Sequence, residues 1–274
     1  MRKALILGIA LVCLWGCITF PTSRHFAEPT VIENVANHVV AIAVYFTMPE
    51  SEYNRRIYSR QDGRMIVTPV QSQGTRNGEP IKCIAYIGSG TIGKENHIIT
   101  VRHLFVNDTN TYNRKIWVMK EGVDHPLEAD VVAISQGKTF SDDYAILKLR
   151  ENLGLPGIPV AKEGAVRGEK VIFGGSLGGS AFFIRFGYLT NYKWFFHRDD
   201  AGNLHLSSWE EYSYNCIYPS GPGDSGSGVF NVEGKLIAIS YCGTEIYAEN
   251  YVFSNPLTML HDFLEAHGLS WLKE

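Results

Sequence analysis

The sequence predicts an all-β chain folded as two antiparallel barrels and finished by one helix. Three observations predict it. Short runs rich in Val, Ile and Tyr recur between Val39 and Phe253, each bounded by turn residues, the pattern of antiparallel barrels. Asn152 to Glu169, stiffened by Pro156 and Pro159 and broken by several glycines, divides those runs into two sets. Near the end, Leu257, Leu260, Phe263 and Leu264 fall at helical spacing within Pro256 to Ala266. A chain of 274 residues has room for one large β domain or two small ones, and 45% hydrophobic with 19% charged residues is ordinary globular composition. A formal net charge of −3 with no run of Lys or Arg argues against a nucleic-acid partner.

In order along the chain, Arg2 and Lys3 precede an apolar run from Ala4 to Phe20, the charge-then-apolar order of a secretory leader. Residues 1–20 therefore read as a signal peptide or an N-terminal anchor, and residues 21–30 as a polar tether. Leu14-Trp15-Gly16-Cys17 resembles a bacterial lipobox, in which Cys17 would be lipidated and become the new N-terminus. The expectation is an extracytoplasmic protein, secreted or attached to the cell envelope through this end. Residues 31–155 read as the first barrel and 156–274 as the second with its helix. The first set of strands is Val39 to Tyr45, Ile81 to Ile87, His97 to Val101, Lys115 to Met119, Ala129 to Ile134 and Tyr144 to Leu149. Met48 to Pro80 is an insertion, longer than an ordinary connection, that reads as a surface loop or as a substrate-facing or regulatory one. The second set is Lys170 to Gly174, Ala181 to Leu189, Tyr192 to Phe196, Glu211 to Ile217, Ser227 to Phe230, Leu236 to Tyr241 and Asn250 to Phe253.

Cys13 and Cys17 lie in the leader, leaving Cys83, Cys216 and Cys242. Cys216 and Cys242 flank one glycine-rich loop and either pair or stay reduced, while Cys83 reads as a buried thiol. With no CxxC and no HExxH, neither a metal nor any other cofactor is expected.

That loop, Gly221-Pro222-Gly223-Asp224-Ser225-Gly226-Ser227-Gly228, carries the chemistry. Glycines let a ligand approach main-chain N–H groups, and a serine on such a turn can present its hydroxyl beside them. A serine hydroxyl needs a base, and a base needs a carboxylate to orient it. His103 ends the run His97 to Phe105, and Asp142-Asp143 open the strand Tyr144-Ala145-Ile146-Leu147-Lys148-Leu149. The chain order His, Asp, Ser resembles the chymotrypsin-type serine peptidases. So do Gly88-Ser89-Gly90-Thr91-Ile92 and Asn250 to Pro256, which are similar to bacterial members of the HtrA and glutamyl endopeptidase groups. The resemblance spans about residues 35 to 265, and no PDZ-like module is expected after residue 266.

The resemblance implies two perpendicular six-stranded Greek-key barrels and a polypeptide substrate cleaved through an acyl-enzyme. It makes Ser225 the nucleophile and His103 its base, with the N–H groups of Gly223 and Ser225 as the oxyanion hole. Asp143 rather than Asp142 is the orienting acid, because Asp143-Tyr144-Ala145-Ile146-Leu147 matches the family's Asp-x-Ala-x-Leu run. Pro219 and Ser220 fall at the base of the primary pocket and Ser240, Tyr241 and Cys242 along its wall, where substrate backbone pairs by strand addition. With no acid at Pro219, an uncharged, small or medium apolar residue is expected before the scissile bond. His97 reads as a structural strand-start residue. The alternative function is a non-catalytic binding protein on the same scaffold. A lipase-type hydrolase would need a Gly-x-Ser-x-Gly elbow with the histidine after the serine, which this chain lacks.

Overall fold

The computed structural model describes residues 27–51, 75–76, 79–105, 112–136, 142–177, 181–189, 194–198, 204–208, 214–217, 221, 223–246 and 249–273. The first half supplies strands β1 (Val39–Pro49), β2 (Thr75–Arg76), β3 (Glu79–Ile92), β4 (His97–Thr100), β5 (Tyr112–Lys120), β6 (Leu127–Ile134) and β7 (Ala145–Leu149). The second half supplies β8 (Lys170–Leu177), β9 (Ala181–Tyr188), β10 (Trp194–Arg198), β11 (Leu204–Ser208), β12 (Tyr214–Ile217), β13 (Gly228–Phe230), β14 (Leu236–Ile246) and β15 (Glu249–Asn255).

The first sheet closes on itself. Its order is β1-β5-β6-β7-β4-β3, and β3 returns to pair with β1 along its length, Val39 opposite Thr91 through Pro49 opposite Ile81. Closure removes the open strand edges and gives each strand an interior face. Ile42, Ile92, Ile98, Ile146 and Leu147 are fully buried. The second sheet has the order β12-β15-β14-β13-β8-β9, all antiparallel, and its end strands β9 and β12 approach each other. Val171, Ile172, Phe173, Val229, Phe230 and Ile237 to Ile239 are buried there, and one apolar core runs through both halves.

Five features depart from the strand-by-strand expectation. A helix, Pro29–His38, precedes β1, and its first two residues fall within the stretch read as tether. Its buried Val35 packs with Val39 where Gly174 of β8 has no side chain, so the helix joins the halves. Strand β3 continues past Ile87 through Gly88-Ser89-Gly90, and β7 begins at Ala145, one residue later than expected. Strands β10 and β11 form their own hairpin, with Trp194 opposite Ser208, and β12 begins at Tyr214. Most of the Met48 to Pro80 insertion and the whole leader lie outside the described residues. Among the described residues no helix is long and apolar enough to cross a membrane.

The C-terminal helix, Leu257–Ala266, turns Leu257, Leu260, Phe263 and Leu264 inward as their spacing requires. It also braces the first barrel. Tyr144, fully buried, donates its hydroxyl to Pro256 O at 3.2 Å and stacks on Phe263 with 5.4 Å between ring centroids. Burial pushes the Tyr144 phenol well above its ordinary pKa, with the charges of Asp142 and Asp143 adding to it, so the O–H stays a donor.

Candidate active site

His103 sits in a one-turn 3₁₀ segment, Arg102–Leu104, directly after β4, with Leu104 and Phe105 buried as anchors. The turn leaves the imidazole partly exposed and aims it at a single carboxylate. Asp143 holds that residue at two of its nitrogens: Nδ1 lies 2.6 Å from Oδ2, and the backbone N–H donates to Oδ1 at 2.8 Å. Facing a carboxylate, Nδ1 carries the proton, which leaves Nε2 as the free acceptor. Asp143 itself is buried, and its backbone carbonyl accepts from Asn255 Nδ2 at 3.1 Å. Asp142 is half-buried, and its carbonyl is used by the Ser135 hydroxyl at 2.8 Å. Both aspartates precede β7, so strand alternation is not what separates them. Ser135 and Asn255 hold the two backbone carbonyls on separate partners.

Ser225 lies in a turn between Gly223 and Gly226, whose φ angles are 98° and 91°, conformations that side chains resist. Gly226 is the tighter of the two. A Cβ there would lie 2.0 Å from Ser89 O and 2.4 Å from Thr100 Oγ1, so only glycine lets this turn touch the first barrel. Gly88 performs the reciprocal task. A Cβ on it would meet Leu104, the neighbour of His103, at 2.4 Å and Ser225 O at 2.7 Å. The histidine turn and the serine turn thus meet across the bare backbone of one glycine.

Asp224 organises the turn from inside. Its Oδ2 accepts from Gly221 N–H at 2.8 Å and lies 3.5 Å from Arg185 Nη1 on β9, its N–H donates to Gly221 O, and its carbonyl accepts from Ser227 N–H. The guanidinium of Arg185 in turn lies 3.9 Å from the centroid of the Phe183 ring. The Asp224 side chain, 7% exposed, is thus paired with a cation of the same chain.

Of the expected pocket residues, Ser240 is buried, and its backbone braces the turn: its N–H donates to Ser227 O and its O accepts from Gly226 N–H. A bulge follows it, so Tyr241, also buried, falls between the paired positions Ser240 opposite Ser254 and Cys242 opposite Phe253. Pro219 and Ser220 lie outside the described residues, as does the side chain of Cys242 and hence the question of its pairing with Cys216.

Four residues around the site were not anticipated as its supports: Ser89, Thr100, Arg185 and Asn255. Two of them carried a signal: Ser89 as a serine between two glycines inside an apolar strand, which marks a close backbone approach, and Asn255 as part of the family-like stretch Asn250 to Pro256.

The sequence profile of the family described as trypsin-like peptidase domain matches residues 88–239, more than half of the chain. No curated protein matches the sequence. Among solved structures, the active form of the Rv3671c protease from M. tuberculosis is similar at 19% identity and a TM-score of 0.55, covering 92% of this chain and 95% of that one. The inactive form of the Rv3671c protease is similar at 18% identity and a TM-score of 0.57, covering 90% of this chain and 96% of that one. A serine endoprotease from Yersinia pestis is similar at 17% identity and a TM-score of 0.54, covering 91% of this chain and 68% of that one.

Proposed function

Because this chain belongs to the trypsin-like peptidase domain family, and is a serine-type peptidase, we propose that it is an exported endopeptidase working through Ser225, His103 and Asp143. The observation that carries the assignment of residues is the double grip of Asp143 on His103, through the ring at 2.6 Å and the backbone at 2.8 Å. A carboxylate so placed fixes the tautomer that leaves Nε2 basic and stabilises the imidazolium formed when that nitrogen takes a proton.

In this reading, Ser225 Oγ attacks the scissile carbonyl as its proton passes to His103 Nε2. The N–H groups of Gly223 and Ser225 receive the oxyanion. His103 then protonates the leaving amine, and water hydrolyses the acyl-enzyme with His103 again as base. The substrate is an extended polypeptide with an uncharged, small or medium apolar side chain before the cleaved bond. Arg2-Lys3 and the apolar run to Phe20 support export, and Cys17 supports a lipid-anchored form.

Purified protein should cleave unfolded casein and take up a fluorophosphonate at Ser225. Ser225→Ala should lose both while remaining folded, with a drop on the order of 10⁴ to 10⁶ in kcat. Casein cleavage surviving in that variant overturns the assignment of the nucleophile. A wild type that binds polypeptide without turnover and ignores the probe would favour the binding-protein reading. Mass spectrometry of the native N-terminus reads out the leader: acylated Cys17 supports a lipoprotein, intact Met1 an anchor, and purely cytoplasmic recovery contradicts export.

A further inference from the structure

Ser89 is fully buried in β3 of the first barrel, yet its polar groups are spent on the site rather than on its own sheet alone. Its N–H donates to Ser225 O at 2.7 Å. Its carbonyl accepts from the Thr100 hydroxyl, at the end of the strand leading to His103, at 2.6 Å. Its own hydroxyl donates to Gly223 O at 2.8 Å and accepts from Ser176 N–H, on β8 of the second sheet, at 2.8 Å. Every hydrogen-bonding group of this residue is thereby engaged, and three of the four partners lie in the second half.

The bond to Gly223 has a mechanical consequence. A peptide unit is planar, so holding both of its ends fixes its rotation. The Gly223–Asp224 unit is held at its carbonyl by Ser89 Oγ and at its N–H by Gly221 O at 3.1 Å. The Gly223 N–H lies across one α-carbon from that plane, on a residue at φ 98°, so its direction is coupled to the clamped unit through the φ and ψ of Gly223. Glycine has little intrinsic barrier to leaving such a conformation, so without an external clamp the loop can rotate and turn this N–H away.

We infer that Ser89 is a positioning residue of the reaction: its hydroxyl, reaching across from the barrel that carries His103, holds the oxyanion loop in the orientation that stabilises the tetrahedral intermediate. The inference rests on the proposed oxyanion role of Gly223. It separates Ser89 from Ser176, whose buried hydroxyl lies 3.3 Å from Ser89 Oγ and 3.4 Å from Gly88 O and has no bond to the loop.

The test compares Ser89→Ala, Ser89→Cys and Ser176→Ala with the wild type on a peptide substrate and with a peptide aldehyde, whose adduct with the nucleophile carries the same oxyanion. Removing a direct oxyanion donor costs roughly 10² to 10³ in kcat, so loss of the clamp in Ser89→Ala should cost about 10- to 100-fold. KM should stay within about threefold, and aldehyde binding should weaken in parallel with kcat. Ser176→Ala should keep both kcat and KM near wild type. An unchanged kcat in Ser89→Ala, a loss confined to KM, or an equal loss in Ser176→Ala overturns the inference. Should Ser89→Ala fail to fold, Ser89→Cys carries the test, because a thiol is a weaker donor of similar shape. A lower kcat at constant KM supports the clamp and an unaltered kcat refutes it. A wild type inert to substrate and probe overturns the peptidase mechanism and this inference with it; an active wild type with an unaffected Ser89→Ala overturns this inference alone.

Discussion

A carboxylate orients an imidazole only if something else holds the carboxylate still. Asp143 has that support from Asn255 on its backbone and from the buried Tyr144 beside it, whereas Asp142 stands half-exposed next to them. Asp143→Asn should therefore lower kcat about 10⁴-fold near neutral pH, because an amide favours the wrong histidine tautomer. Asp142→Asn should stay near wild type in rate and within about 0.5 kcal/mol in stability. The reverse ranking in steady-state kinetics would move the orienting role to Asp142. At this scale much was legible. The Asp-x-Ala-x-Leu pattern selects Asp143, and the structure puts that residue on His103. An argument from strand alternation would not have reached it, since β7 starts two residues later. Arg185 was not legible as a support, because its role depends on a partner 39 positions away that no local pattern announces.

At the scale of elements, the serine turn is a contact before it is a loop. Gly226→Ala would force a methyl group toward Ser89 O and Thr100 Oγ1 from a backbone at φ 91°. The expected cost is at least about 2 kcal/mol of stability, and displacing the nucleophile should reduce turnover by about 10² or more. Thermal melts and kinetics of that variant measure both; wild-type behaviour would mean the turn has room that the geometry denies. The C-terminal helix acts on the other half of the site. Tyr144→Phe removes one of the two donors to Pro256 O, leaving the Leu260 N–H, and should cost about 1 kcal/mol in chemical denaturation, with a smaller change in kcat. A cost near zero would show that this bond does not tie the helix to the barrel. The helix was readable from its four apolar positions. Helix Pro29–His38 was overlooked although Val31, Ile32 and Val35 also follow helical spacing, because the polar stretch before it suggested a tether. The glycines of β3 ended that strand too early in the sequence reading, since a missing side chain marks a close approach as readily as a turn.

For the molecule as a whole, acid is the weakness to test. His38 is buried and donates Nδ1–H to Asn34 O at 2.7 Å, and its Nε2 has no hydrogen-bond partner among the described residues. His97 is buried against the edge of Trp271, with ring centroids 4.9 Å apart. Burial first, and then the charges of Lys120 and Lys148 respectively, hold both imidazoles below the ordinary histidine pKa. The unfolded chain therefore binds protons that the folded chain refuses. The contribution of these residues is fully present above about pH 6.5 and is lost as pH falls below it. Melting temperature should decline more steeply from pH 6.5 to 5 in the wild type than in a His38→Gln, His97→Gln double variant, and parallel curves would contradict this.

The cross-ties from Asn255 and Pro256 also set a schedule. A nascent chain emerges from its N-terminal side, at roughly 5 to 20 residues per second. His103 and Asp143 are therefore made early, but the residues that hold Asp143 and Tyr144 in place follow 112 positions later. Ser225 comes before those supports as well. On the proposed assignment, a growing chain thus carries its catalytic side chains before it carries the residues that hold them in place, and the site is completed only as the last strand and the C-terminal helix are added.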